Sequence, residues 1–130
     1  MEKFFTEYFV NYAKCYDDFD PERLAKYFYT PTVNVKNGSA VVISDSSDVL
    51  AYLRNLVNSY HEQGLKKANL ISLDVKILGW WSALVTVHWI VDHTNGSILR
   101  DFHTSYNIFR NGDDWLILMS TNHDVPEQAV

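Results

Sequence analysis

Residues 83–123, ALVTVHWIVDHTNGSILRDFHTSYNIFRNGDDWLILMSTNH, decide the fold. Apolar and polar side chains alternate through most of this stretch, the period of a half-buried strand. Two breaks, Asn95-Gly96 and Gly112-Asp113, divide it into strands near 83–92, 98–109 and 115–123. Asn-Gly is a strong hairpin signal because both residues tolerate the positive φ of a two-residue turn. Centring that turn predicts Thr94 opposite Ser97, Trp89 opposite Phe102, Val87 opposite Thr104 and Val85 opposite Tyr106. Gly112-Asp113 likewise predicts Asn111 opposite Asp114, Ile108 opposite Ile117, Tyr106 opposite Met119, Thr104 opposite Thr121, and Phe102 opposite His123.

Because side chains alternate between the faces of a sheet, these pairings sort the strands. One face collects Ala83, Val85, Val87, Trp89, Val91, Phe102, Tyr106, Ile108, Trp115, Ile117 and Met119, and is predicted to cover the core. The other collects Thr86, His88, Asp92, Asp101, His103, Ser105, Asn107, Ser120 and Asn122, for water or a partner subunit.

Upstream, the period changes. Phe5, Tyr8, Phe9, Tyr12 and Tyr16 recur at three- and four-residue steps, predicting a helix over 2–18 with an aromatic buried stripe. Asp20-Pro21-Glu22 supplies a cap acceptor, a proline where no N–H is needed and an acid at the positive helix end, so a second helix runs from there to about 29, ended by Pro31. Thr32 to Val35 and Ala40 to Ile43 read as short strands about an Asn37-Gly38 turn. Val49, Leu50, Leu53, Leu56, Val57 and Tyr60 keep helical spacing up to Gly64, and another strand is expected over 70–78.

At 130 residues the chain is read as a single domain over 1–130, since halves would be too small to bury separate cores. A net charge of −5 without any Lys/Arg run excludes a surface that tracks the phosphates of nucleic acid. No apolar run reaches the length of a membrane span, and the acids among residues 1–7 interrupt the apolar run that a signal peptide needs. Cys15 is the single cysteine, which excludes an internal disulfide and a thiolate metal cluster and fits a reducing cytoplasm.

The order helix, helix, short strands, helix, four-strand meander resembles the nuclear transport factor 2-like superfamily, whose members include SnoaL-like polyketide cyclases, ketosteroid isomerase and scytalone dehydratase. The likeness covers nearly the whole chain. It is carried by Tyr16-Asp17-Asp18-Phe19-Asp20-Pro21-Glu22-Arg23-Leu24 before Pro31-Thr32-Val33, by Ala83-Leu84-Val85-Thr86-Val87-His88-Trp89, and by Gly112-Asp113-Asp114-Trp115-Leu116-Ile117. The resemblance implies an α+β, cone-shaped (cystatin-like) roll, N-terminal helices packed on a curved antiparallel sheet around one cavity, with pairing of sheets into a homodimer. The isomerase base falls at Val35 and Lys36, which supply no carboxylate, and the dehydratase histidines fall near Asn69 and on strand 83–92, whose inward positions are apolar. The dehydratase Tyr-Asp pair is matched by Tyr16-Asp17, and the late-strand acid of the cyclases by His123, followed by Asp124.

The predicted register places Tyr12, Trp89, Phe102, Thr104, Tyr106, Met119 and Thr121 around a ligand, with Arg100 near the rim. A few polar groups among apolar walls is the make-up of a small-molecule site. His123 is the candidate acid–base group, assisted by Tyr16 and Asp17; the plainer reading has His123 solvated, Tyr16 in the core and Asp17 at the helix end. His88 and His103 face each other on the outer side without a convincing third ligand, so no metal is assigned, and no cofactor. The chain is thus expected to be either a pocket protein for a small, largely apolar ligand, with isomerase, cyclase or dehydratase-type chemistry, or a noncatalytic binding or dimerisation module whose cavity its own side chains fill.

Overall fold

The computed structural model describes residues 1–123. Helix α1 (Glu2–Asp17) buries Phe5, Phe9 and Tyr12 of the predicted stripe together with Ala13 and Cys15, and packs the half-buried Tyr8 and Tyr16 against the same core; each phenyl ring so buried stabilises the fold by about 1.5–3 kcal/mol. The Asp20 carboxylate accepts the Arg23 N–H at 3.1 Å and starts α2 (Pro21–Ala25). The Asp45 carboxylate does the same for the Asp48 N–H at 3.0 Å at the head of α3 (Ser46–Glu62). These side chains satisfy amides that have no partner inside the first helical turn.

Six strands accompany these helices among the described residues: β1 (Phe28–Lys36), β2 (Ser39–Ile43), β3 (Leu65–Leu78), β4 (Ser82–His93), β5 (Ile98–Asn111) and β6 (Asp114–His123). They form one curved, unclosed sheet in the order β2-β1-β6-β5-β4-β3. The core lies between its concave face and the helices. Four of the five pairings are antiparallel, as expected, but β1 lies parallel to β6.

The second helix is shorter than expected. It ends at Ala25, and the chain is already extended at Phe28, because the Tyr27 carbonyl accepts the Ile117 N–H at 2.8 Å and ties the segment to β6. Pro31 therefore sits inside a strand, within the interval where the β1–β6 register shifts, a place that tolerates a missing donor. Strand β3 begins five residues before its expected start at 70 and pairs with β4 through two register shifts.

Both glycine turns are present, and each ladder contains a bulge. At the first, the His93 N–H donates to the Ser97 carbonyl, so the loop is Thr94-Asn95-Gly96 rather than two residues. An extra residue at Leu99 compensates, and Trp89 faces Phe102, Val87 faces Thr104 and Val85 faces Tyr106 as predicted. The second ladder keeps Asn111 opposite Asp114 and Ile108 opposite Ile117, then shifts at Leu118 with nothing to compensate. Beyond that point Tyr106 faces Ser120, Thr104 faces Asn122 and His103 faces His123. A one-residue shift exchanges the faces. Ser120 and Asn122 thereby turn toward the core, while Met119, Thr121 and His123 turn outward, reversing the expectation for all five.

Candidate functional site

Between the helices and the concave sheet lies a cavity of about 150 Å³, open on one side. Such a volume suits one aromatic ring better than a fused polycyclic skeleton. Tyr12 and Tyr16 enter it from α1; Tyr52, Leu53, Leu56 and Tyr60 from α3; Thr32, Asn34 and Lys36 from β1; Trp89 and Val91 from β4; Phe102, Thr104 and Tyr106 from β5; and Ser120 and Asn122 from β6. Alternate residues on β4, from Ala83 to Val91, are buried, and Trp89 and Val91 of this row give the cavity its apolar floor.

The aromatic side chains are tied together without filling the hollow. The Trp89 indole N–H donates to the Tyr106 hydroxyl at 3.1 Å, and the Tyr12 and Tyr16 hydroxyls share a hydrogen bond of 3.2 Å. Burial pushes the Tyr106 phenol up to about 12 and raises those of Tyr12 and Tyr16 well above the usual phenol value. Buried phenols of this kind remain protonated at neutral pH, where they donate hydrogen bonds and serve poorly as bases.

The polar side of the cavity is built by the bulge in β6. Thr32, itself buried, donates its hydroxyl to the Leu118 carbonyl at 2.9 Å, fixing β1 against the extra residue. The Thr104 hydroxyl donates to Asn122 Oδ1 at 3.2 Å. Ser120 Oγ is buried and has no hydrogen-bond partner among the described residues. At the rim, Arg100 donates through Nη2 to Gln63 Oε1 at 3.0 Å and lies over the Tyr60 ring, 5.7 Å from its centroid.

Of the residues expected to surround a ligand, Tyr12, Trp89, Phe102, Thr104 and Tyr106 line the cavity, and so does Tyr16. Met119 and Thr121 do not; the bulge replaces them with Ser120 and Asn122. Asp17 is turned away toward β3, where its carboxylate accepts the Ala68 N–H at 2.9 Å. Burial raises the pKa of that carboxyl, against the opposing pull of the Ala68 bond. His123 is separated from Tyr16 and Asp17: it shares a 2.8 Å hydrogen bond with Ser105 Oγ on the outer face and borders a shallower depression beside the cavity mouth. Asp124 lies outside the described residues. The residues that sequence reasoning missed on this wall are Asn34, Lys36, Ser120 and Asn122. The only local sign of the bulge is the apolar run from Trp115 through Leu116, Ile117 and Leu118 to Met119, which interrupts strict alternation.

On the outer face His88, His103 and His123 form one row across β4, β5 and β6. The first two rings stack with centroids 4.5 Å apart, and His88 Nε2 meets Asp101 Oδ1 at 2.7 Å. Among the described residues no three His, Cys, Asp or Glu side chains converge as a metal-binding group.

Helices laid across a curved six-strand sheet, with an aromatic-walled hollow between them, define an NTF2-like domain. The sequence agrees: residues 1–125 match the family described as NTF2-like protein (DUF6841), and the chain belongs to that family. Solved structures place it in the same shape. An NTF-2-like protein of unknown function from Shewanella oneidensis MR-1 is 13% identical, covers 92% of this chain and 96% of its own, and superposes with a TM-score of 0.75. An NTF2-like protein with a cystatin-like fold from Novosphingobium aromaticivorans is 16% identical over 95% of this chain and 80% of its own, with a TM-score of 0.75. A protein of unknown function with a cystatin-like fold from Nostoc punctiforme PCC 73102 is 7% identical over 94% of this chain and 89% of its own, with a TM-score of 0.74. At these identities the likeness is one of fold. No curated protein sequence matches the chain significantly. Among the described residues no helix is long and apolar enough to cross a membrane.

Proposed function

We propose that this protein binds a small molecule, largely apolar and about one ring in size, in the cavity between α1, α3 and the sheet. The observation that carries the reading is Ser120: a hydroxyl buried on the cavity wall without a protein partner costs about 1–3 kcal/mol, and a ligand atom that bonds to it recovers that loss. The neighbouring Asn122 amide and the protonated phenols of Tyr12 and Tyr16 give an oxygen-bearing ligand further partners. Binding, rather than isomerase, cyclase or dehydratase chemistry, is the reading the geometry favours. His123 and Asp17 face away from the hollow, and among the described residues the titratable side chains lining it are tyrosines and Lys36.

A second reading is assembly as a homodimer, the outer sheet face being its interface. Trp80 and Trp81, 88% and 63% exposed at the β3–β4 turn, favour an association that covers them, since large exposed apolar groups mark contact surfaces. A reducing cytoplasm is the compartment we assign, with Cys15 a buried free thiol.

Native mass spectrometry of the purified protein tests both readings in one spectrum. A small molecule retained by the wild type and lost in Ser120→Leu, whose side chain occupies the hollow, is the expected result, with two chains per particle. Refusal of small aromatic probes and of xenon alike would remove the ligand reading; a single-chain particle at micromolar concentration would remove the dimer.

A further inference from the structure

The side-by-side course of β1 and β6 sets Asn34 opposite Ser120 and Lys36 opposite Asn122. Strand β5 extends both rows, with Tyr106 opposite Ser120 and Thr104 opposite Asn122. The cavity therefore has one polar wall, which ends at its mouth on a lysine. The shallower depression shares Lys36, Tyr60, Phe102 and Asn122 with the cavity, and brings Arg100 to the same opening.

Neither cation is neutralised by a described residue. Among the described residues the ion pairs involve Arg23, Arg54 and His88, and no carboxylate lies within pairing distance of Lys36 or Arg100. Asp101 also borders the depression, but its carboxylate is engaged by His88 on the outer face. Arg100 Nε is buried without a hydrogen-bond partner among the described residues, while Nη2 is held by Gln63 and the guanidinium rests on Tyr60. A guanidinium fixed on two sides, with an unused N–H, is pre-organised for a planar oxyanion. In a chain whose net charge is −5, two cations left unpaired by the described residues at the opening of an apolar hollow form a local field that selects for negative charge.

We propose that the cavity takes an amphipathic carboxylate: a small apolar body, a ring or branched chain, enters between Trp89, Leu53 and Phe102, and its carboxylate stays at the mouth between Lys36 and Arg100. This inference rests on the small-molecule reading of the cavity and specifies its ligand class. The polar wall serves the segment between the two ends, where Ser120 and Asn122 meet any oxygen the body carries. A neutral ligand of the same shape occupies the same space but leaves both cations unmatched.

The test uses the full chain and three acids, phenylacetate, benzoate and 4-methylpentanoate, each against its own amide, by titration calorimetry or ligand-observed NMR. The expected result is that at least one acid binds about tenfold or more tighter than its amide, the gain of a charge-assisted bond over a neutral one. Lys36→Met and Arg100→Gln each erode that preference while leaving amide binding in place, and retained amide binding shows that the variants fold. Rising salt weakens the acid selectively. Equal affinity for acid and amide, or acid binding indifferent to both substitutions, overturns the anion proposal and leaves the cavity reading intact. Entry of xenon with rejection of all six probes has the same meaning. Rejection of xenon as well overturns both.

Discussion

The indole N–H of Trp89 points at the hydroxyl of Tyr106 across the β4–β5 ladder, 3.1 Å away and sealed from water. Trp can only donate, so Tyr106 must accept, and the pair fixes two cavity-wall rings in one orientation. Tyr106→Phe removes the acceptor and strands the indole N–H; we expect a loss of about 1–3 kcal/mol in urea unfolding. Trp89→Phe made on that background costs less than Trp89→Phe alone, because the orphaned donor is gone. Additive costs in the double variant would show that the bond contributes nothing.

Alkaline pH probes the same wall. Burial raises the Tyr106 phenol to about 12, with Tyr8, Tyr12 and Tyr16 displaced in the same direction. Above pH 10 the unfolded chain releases these protons while the folded chain keeps them, so the folded state binds more protons. The stability they contribute is complete below pH 10 and is lost as pH rises toward 12. Urea midpoints followed from neutral pH to about 11 are expected to fall, and to fall less steeply in Tyr106→Phe. A flat profile would contradict the burial of these hydroxyls.

Gly64 closes α3 at φ +102, and a Cβ there would land in the His93 ring. Gly64→Ala therefore combines left-handed strain of about 1–2 kcal/mol with displacement of an imidazole. Thermal unfolding is expected to show a clear drop, of which His93→Ala in the same chain restores only the steric part. Full recovery would mean that the backbone angle costs nothing.

Asp17 acts as a strand anchor for the Ala68 amide. Asp17→Ala leaves that N–H without its acceptor, at about 1–3 kcal/mol, and speeds hydrogen exchange at Ala68. Asp17→Asn keeps an acceptor and removes a charge that burial disfavours, so its stability should stay near wild type. Equal damage from both would instead place the importance in the charge.

The sequence displays the periods of the helices and strands plainly, and with them the family shape. Its hairpin signals also position Trp89, Phe102, Thr104 and Tyr106 correctly, although by two deviations that cancel: a three-residue loop and the extra residue at Leu99. The second ladder has no such cancellation. Its extra residue, Leu118, is held through its carbonyl by Thr32, a contact 86 positions away in the chain. No window of local sequence contains that bond, so counting outward from Gly112-Asp113 places His123 on the cavity face and Ser120 on the outer one. Lys36 was legible as a departure from the isomerase pattern; its place on the polar wall needed the β1–β6 register, which likewise joins distant segments.

That parallel contact also orders events during synthesis. Among the described strands, β6 joins the β2-β1 hairpin to the β5-β4-β3 ribbon within the sheet, since it lies between them. Until β6 has emerged, the nascent chain holds two separate halves of a hollow, one carrying Asn34 and Lys36, the other Trp89 and Tyr106. Contacts of such long separation form late and slowly. Strand β6 is thus a keystone, and a chain interrupted before it would hold no receptacle.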